Sequence, residues 1–297
     1  MSNPDIYRAV VARRESRHRI RGVDYTVHSW GDDRSPLLVW LHGWGDCGST
    51  AQFVVDALER DWHVIAPDWR GFGRTTTLAD AFWFPDYLGD LDRLLDIYSP
   101  NAGARIVGHS MGANVAGLYA GTMTERVAAF VNVEGFGLRD SDPDDAAGRY
   151  RTWLEFARDA PEFRSFDDFE ALADRVLGRA PAMTRARARF VAREWGCERD
   201  GRIVLRASPW HKRPNAVLYR RAESEACWRR IEAPVLLVAG RDSRVGHEFG
   251  VPLDSALSLL PFANAASAII DGAGHMLHFE APETLAARLE AFLAATL

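Results

Sequence analysis

Short apolar runs alternate with longer amphipathic stretches along the first half of the chain. Residues 37–41, 62–66, 104–108 and 129–133 are apolar runs of the length that suits buried strands. Residues 25–30 alternate apolar with polar, the pattern of an early antiparallel strand. Between these runs, 49–59 and 86–98 carry apolar residues at helical spacing, and Leu88, Leu91, Leu94, Leu95 and Tyr98 share one face of the second. Strands that alternate with helices in this way predict an α/β fold with a mostly parallel central sheet flanked by helices.

The pattern changes after Gly137. Residues 140–145 form an acidic, proline-containing stretch, and the chain to about Arg230 reads as arginine-rich amphipathic helices with aromatic residues between them. Ser165 with Asp168 has the spacing of a capping box ahead of Phe169, Leu172 and Val176. Strand-like runs resume at 234–239 and 268–270, followed by a final helix at 282–293. These shifts divide the chain into a split core, 1–136 and 231–297, that carries an inserted, mostly helical cap at 137–230.

Composition narrows the function classes. The chain has 297 residues and a formal net charge of −5, which argues against a nucleic-acid partner. All of its basic residues except Lys212 are arginine, the mark of a coding bias. No apolar run approaches the roughly 20 residues of a membrane span, and residues 1–21 lack the apolar stretch of a signal peptide. Cys47, Cys197 and Cys227 are far apart, without metal or redox spacing. They fit free thiols in a reducing cytoplasm, and neither a metal nor a cofactor is expected.

Gly108-His109-Ser110-Met111-Gly112 carries the candidate chemistry. It falls between a predicted strand and a predicted helix, so its two glycines allow a tight turn that presents the Ser110 hydroxyl as a nucleophile. A hydroxyl needs a base, and His275 follows the last predicted strand in the loop Gly272-Ala273-Gly274. The imidazole in turn needs an acid. Asp242, just past the run 234–239, is the first choice because it completes the chain order Ser, Asp, His; Glu134, at the end of the run 129–133, is the alternative. Backbone N–H groups of Met111 and of Trp44, in the loop Leu41-His42-Gly43-Trp44-Gly45, are the expected oxyanion donors. His42 and His109 are read as structural, and Cys47 as a bystander.

These segments, with Asp68-Trp69-Arg70-Gly71-Phe72-Gly73, Gly240-Arg241-Asp242 and Gly274-His275, resemble the α/β-hydrolase superfamily. The likeness is to its serine-nucleophile branch with an HG-x oxyanion loop and a helical cap. The resemblance implies a cofactor-free hydrolase of a carboxylic ester, lactones included, through an acyl-enzyme. It leaves open a carbon–carbon bond hydrolase of ring-opened aromatics with the same triad, or a ligand-binding receptor on the same fold. Serine at the nucleophile position argues against the epoxide hydrolases and dehalogenases, which need a carboxylate there. Trp69, Phe136 and Met276 are expected to line an apolar pocket for a small-molecule ester.

Overall fold

Period-two alternation across the apolar runs fills both faces of one sheet. In the computed structural model, which describes residues 5–159, 161–244 and 250–296, the strands are β1 (Arg14–Ile20), β2 (Val23–Trp30), β3 (Leu37–Leu41), β4 (His63–Pro67), β5 (Ala104–His109), β6 (Val127–Val133), β7 (Gly196–Arg199), β8 (Arg202–Leu205), β9 (Val235–Gly240) and β10 (Ala265–Ile270). Eight of them pair in the order β1-β2-β4-β3-β5-β6-β9-β10, and β7 and β8 form a separate hairpin. β2 runs antiparallel to β1 and β4. The sheet from β4 to β10 is parallel. Ile106, Phe130 and Leu237 enter the apolar layer on one face, while their neighbours Val107, Val131 and Val238 enter the other.

Helices α1 (Gln52–Val55), α2 (Phe84–Tyr98), α3 (Met111–Thr122), α4 (Ala146–Arg158), α5 (Phe169–Leu177), α6 (Arg185–Trp195) and α7 (Arg221–Trp228) follow in chain order. The C-terminal helix Pro282–Leu293 matches its expected span. The helix expected over 49–59 is shorter, a 3-10 turn Gly48–Ala51 followed by α1. Beyond it, the Glu290 carboxylate accepts from the N–H groups of Glu59 and Arg60. β1 has no apolar alternation to announce it, because it is an edge strand with mostly exposed or half-buried residues.

The stretch between β6 and β9 holds α4 to α7 and the β7–β8 hairpin. Asp200-Gly201 closes that hairpin with both residues at positive φ, 51° and 71°. The N-cap of α5 is Asp168 itself, which accepts from the Ala171 N–H at 2.8 Å; Ser165 instead meets Arg202. Leu172, Val176, Val191 and Trp195 from this stretch share an apolar cluster with Cys47, Phe53, Met276 and Phe279. That shared cluster packs α5 and α6 against the segments that follow β3 and β10.

Candidate active site

Ser110 sits between β5 and α3 at φ 51° and ψ −114°, a conformation an L-residue adopts only under constraint. The constraint is visible. The Ser110 N–H donates to Val133 O of β6 at 2.8 Å, and the Asn114 N–H donates to Ser110 O at 3.0 Å. A Cβ at Gly112 would lie 2.2 Å from Leu41 O, so only glycine lets α3 pack this closely on β3.

The Ser110 hydroxyl lies 3.0 Å from His275 Nε2, and His275 Nδ1 lies 3.1 Å from Glu134 Oε2. A carboxylate only accepts, so Nδ1–H must donate to Glu134, which leaves the Nε2 lone pair to receive the serine proton. Glu134 is buried at the end of β6 with φ 58°. Its Oε1 accepts from the Gly240 N–H at 2.8 Å, and its Oε2 also accepts from the Ser243 hydroxyl at 2.7 Å. Asn132 shapes the turn beneath it, donating to Gly135 O and accepting from the Gly135 N–H.

The contact expected of Asp242 is therefore made by Glu134. Asp242 borders the same cleft but is exposed. Its N–H is tied to Ala273 O at 3.0 Å, and the following Ser243 turns back onto Gly240 O. This tight turn brings Ser243 inward and leaves the Asp242 side chain at the surface. Trp69 also departs from expectation. It is fully buried, donates from Nε1 to His42 O at 3.1 Å and packs edge-on against Tyr87, so it braces the loop beneath the site. Phe136 and Met276 do border the cleft.

Met111 opens α3, where the first N–H groups have no partner within the helix. Trp44, with Ser110 and Met111, borders a 290 Å³ lobe walled by Phe82, Trp83 and Phe84. His42 holds the Trp44 loop: its Nδ1 donates to Gly43 O at 2.8 Å, and its Nε2 accepts from the Trp69 N–H at 2.9 Å. Burial pushes its pKa down, so it stays neutral.

Behind His275 lies a buried polar brace. His109 Nε2 donates to His275 O at 2.8 Å, and His278 Nε2 donates to Asp46 Oδ2 at 3.1 Å. Asp46, His109 and His278 lie close enough together to hold an ion; the two Nε2 atoms and Asp46 Oδ2 are used in these bonds, while the buried Nδ1 atoms of His109 and His278 make no hydrogen bond among the described residues. Burial would raise the Asp46 carboxyl, yet the hydrogen bond and charge of His278 hold it below its ordinary value. Burial drives the Cys47 thiol well above its usual range, which removes it as a nucleophile. Sequence reasoning missed Ser243, Asn132 and the Asp46–His278 pair. Only the Gly240-to-Ser243 spacing and the Asn132-to-Gly135 turn hinted at the first two.

A β-sheet hydrolase core with a serine held on a strand-to-helix turn, and a histidine and a carboxylate in hydrogen-bonding line, defines the class. The chain belongs to the alpha/beta hydrolase fold family, whose model matches residues 36–282. Among individual proteins it is 31% identical over 118 residues to a serine hydrolase-like protein of Danio rerio, 39% of this chain and 36% of that one. The chain thus spans only about a third of that relative. It is 28% identical over 243 residues to a 3-hydroxybutyrate-oligomer hydrolase of Cupriavidus necator, 73% of this chain and 76% of that one. Among solved structures, a thioesterase domain from the curacin biosynthetic pathway superposes with a TM-score of 0.83 at 22% identity, covering 94% of this chain and 99% of that one. An esterase of Mycobacterium tuberculosis superposes with a TM-score of 0.71 at 20% identity, covering 95% and 92%. At these identities the structural likeness speaks for the fold. No helix among the described residues is long and apolar enough to cross a membrane.

Proposed function

We propose that the protein hydrolyses a carboxylic ester through an acyl-enzyme, with Ser110 as nucleophile, His275 as base and then acid, and Glu134 as the acid that orients it. The observation that carries this reading is the unbroken line Ser110 Oγ, His275 Nε2, His275 Nδ1, Glu134 Oε2, with contacts of 3.0 and 3.1 Å. Glu134 fixes the tautomer and stabilises the imidazolium that forms when Ser110 attacks. The N–H groups of Met111 and Trp44 receive the negative charge on the attacked carbonyl oxygen. Collapse expels the alcohol, protonated by His275, and a water activated by the same imidazole releases the acid.

The Cupriavidus necator relative, by its name a hydrolase of hydroxybutyrate oligomers, supports ester chemistry over carbon–carbon cleavage. The test is hydrolysis of p-nitrophenyl esters from acetate to octanoate by wild type and Ser110→Ala. Turnover that falls by about 10³ or more in a folded variant supports the mechanism. Equal rates in the two proteins overturn it.

A further inference from the structure

A second cavity of 380 Å³ opens beneath the inserted helices, beside the Trp44 loop. Its walls carry Arg164, Arg175, Arg179, Arg206 and Lys212 together with aromatic and leucine side chains. Among the described residues none of these five cations forms an ion pair with a carboxylate. Elsewhere on the same stretch several arginines do pair with carboxylates. Arg185 pairs with Glu170 and Asp174, Arg187 with Glu283, Arg202 with Asp167, and Arg213 with Asp80.

The cavity cations instead meet backbone oxygens and rings. Arg206 donates to Gly196 O at 3.0 Å, Lys212 to Glu162 O, and Arg179 lies 5.2 Å from the Trp195 ring. One carboxylate, Asp46, borders the cavity, and it is committed to the Cys47 N–H, Thr50, Trp195 and His278. The cavity is therefore a cationic chamber with apolar walls.

Arg179 joins this chamber to the catalytic cleft, since it also borders the 810 Å³ cleft that holds Ser110, Glu134 and His275. Its guanidinium rests on the oxyanion loop, with Nη1 3.3 Å from where a Cβ of Gly45 would stand and Nη2 3.5 Å from Trp44 O. Arg179 is half-buried, and burial lowers its pKa while the nearby Asp46 carboxylate offsets part of that. A guanidinium that faces a cavity without a carboxylate partner can receive an incoming oxyanion through two parallel N–H donors.

We infer that this chamber is an anion subsite, and that the substrate is an ester carrying a carboxylate or similar oxyanion on an apolar arm, received by Arg179 with Arg206 behind it. This rests on Ser110 hydrolysing an ester. The charge belongs either to the acyl arm or to the alcohol arm, and the two are separable by experiment.

Binding to the inactive Ser110→Ala protein tests the subsite without turnover. Calorimetry compares monomethyl adipate and monomethyl suberate with methyl hexanoate and methyl octanoate, and 2-phosphoethyl octanoate places the charge on the alcohol side. The expected result is at least tenfold tighter binding of one charged series than of its neutral counterpart. Adding Arg179→Gln removes that preference, about ten- to a hundredfold, whereas Arg179→Lys keeps part of it. Arg206→Gln gives a second, independent loss should Arg179→Gln fail to fold. Preference for the half-esters assigns the charge to the acyl arm, and preference for the phosphoethyl ester assigns it to the alcohol arm.

Equal binding of charged and neutral esters, or a preference untouched by both Arg179→Gln and Arg206→Gln, overturns the inference. Turnover by wild type is read separately. Selective binding without Ser110-dependent hydrolysis of any ester refutes the hydrolase reading and leaves the anion subsite standing.

Discussion

Replacing Glu134 with glutamine removes one negative charge while conserving shape, and its effect follows from the bonds the carboxylate makes. Oε1 accepts from the Gly240 N–H at 2.8 Å, while Oε2 accepts from both His275 Nδ1 and the Ser243 hydroxyl. An amide has one acceptor oxygen. If that oxygen keeps the Gly240 N–H, the amide NH2 faces His275 Nδ1 and forces the tautomer with hydrogen on Nε2, which cannot take a proton from Ser110. If the oxygen keeps His275, two donors meet at Gly240 and the turn must open. Either way the imidazolium loses its counter-charge. A wrong tautomer in such a relay costs about 10⁴ in kcat, or about 5.4 kcal/mol in the barrier. Asp242→Asn, on an exposed side chain, is expected to stay within about tenfold of wild type. The assay is steady-state hydrolysis of the best p-nitrophenyl ester, with thermal melts to show that each variant is folded. A loss of 10³ or more in Asp242→Asn, with Glu134→Gln near wild type, refutes the assignment of the acid.

Three further outcomes are expected. In Gly43→Ala the new methyl would stand 2.8 Å from His109 Nδ1 and 3.1 Å from Ser110 Cβ, shifting the oxyanion loop; kcat should drop about 10²-fold or more, with less effect on KM. His211 is stacked between Phe72 and Phe82 at centroid distances of 3.7 and 3.8 Å, and burial lowers its pKa from 6.5 to about 3. Its folded pKa is below the unfolded one, so its contribution is complete above pH 6.5 and is lost as pH falls towards 3. About 2 kcal/mol should be gone at pH 5, and His211→Phe should flatten the acid limb of Tm against pH. Finally, iodoacetamide on the native protein at pH 8 should leave Cys47 unmodified, because it is buried and its thiol pKa is raised; peptide mapping that finds it alkylated would contradict the packing.

Much of this architecture was legible in the apolar pattern, because buried parallel strands are short uninterrupted runs and leave a strong trace. The turns that carry Ser110 and His275 were legible too, since the glycines around them mark strand ends. The acid was harder. Glu134 and Asp242 both follow strands at one edge of the sheet, and the deciding facts are three-dimensional. One is the left-handed backbone at Glu134; the other is the pair of donors, Gly240 N–H and Ser243 Oγ, that reach it from β9. Trp69 failed for a similar reason, because an indole that braces a loop and one that lines a pocket look alike in sequence. The β7–β8 hairpin was signalled by Asp200-Gly201 but hidden among helix-like arginine patterns. The unpaired state of the arginines in the cationic chamber depends on which carboxylates the fold brings near, and no spacing along the chain encodes that.

The lateral bond from the Ser110 N–H to Val133 O also bears on when the machinery can assemble. Ser110 and Glu134 stand at the ends of adjacent strands, β5 and β6, and are drawn from one contiguous stretch of chain. A nascent polypeptide can bring these two together early. Gly240 and Ser243, which hold the acid, emerge much later, and the histidine follows β10, the outermost strand of the sheet. The proposed triad is therefore assembled only after residues 240–275 are in place, and a chain truncated before His275 would leave Ser110 without the imidazole that meets it.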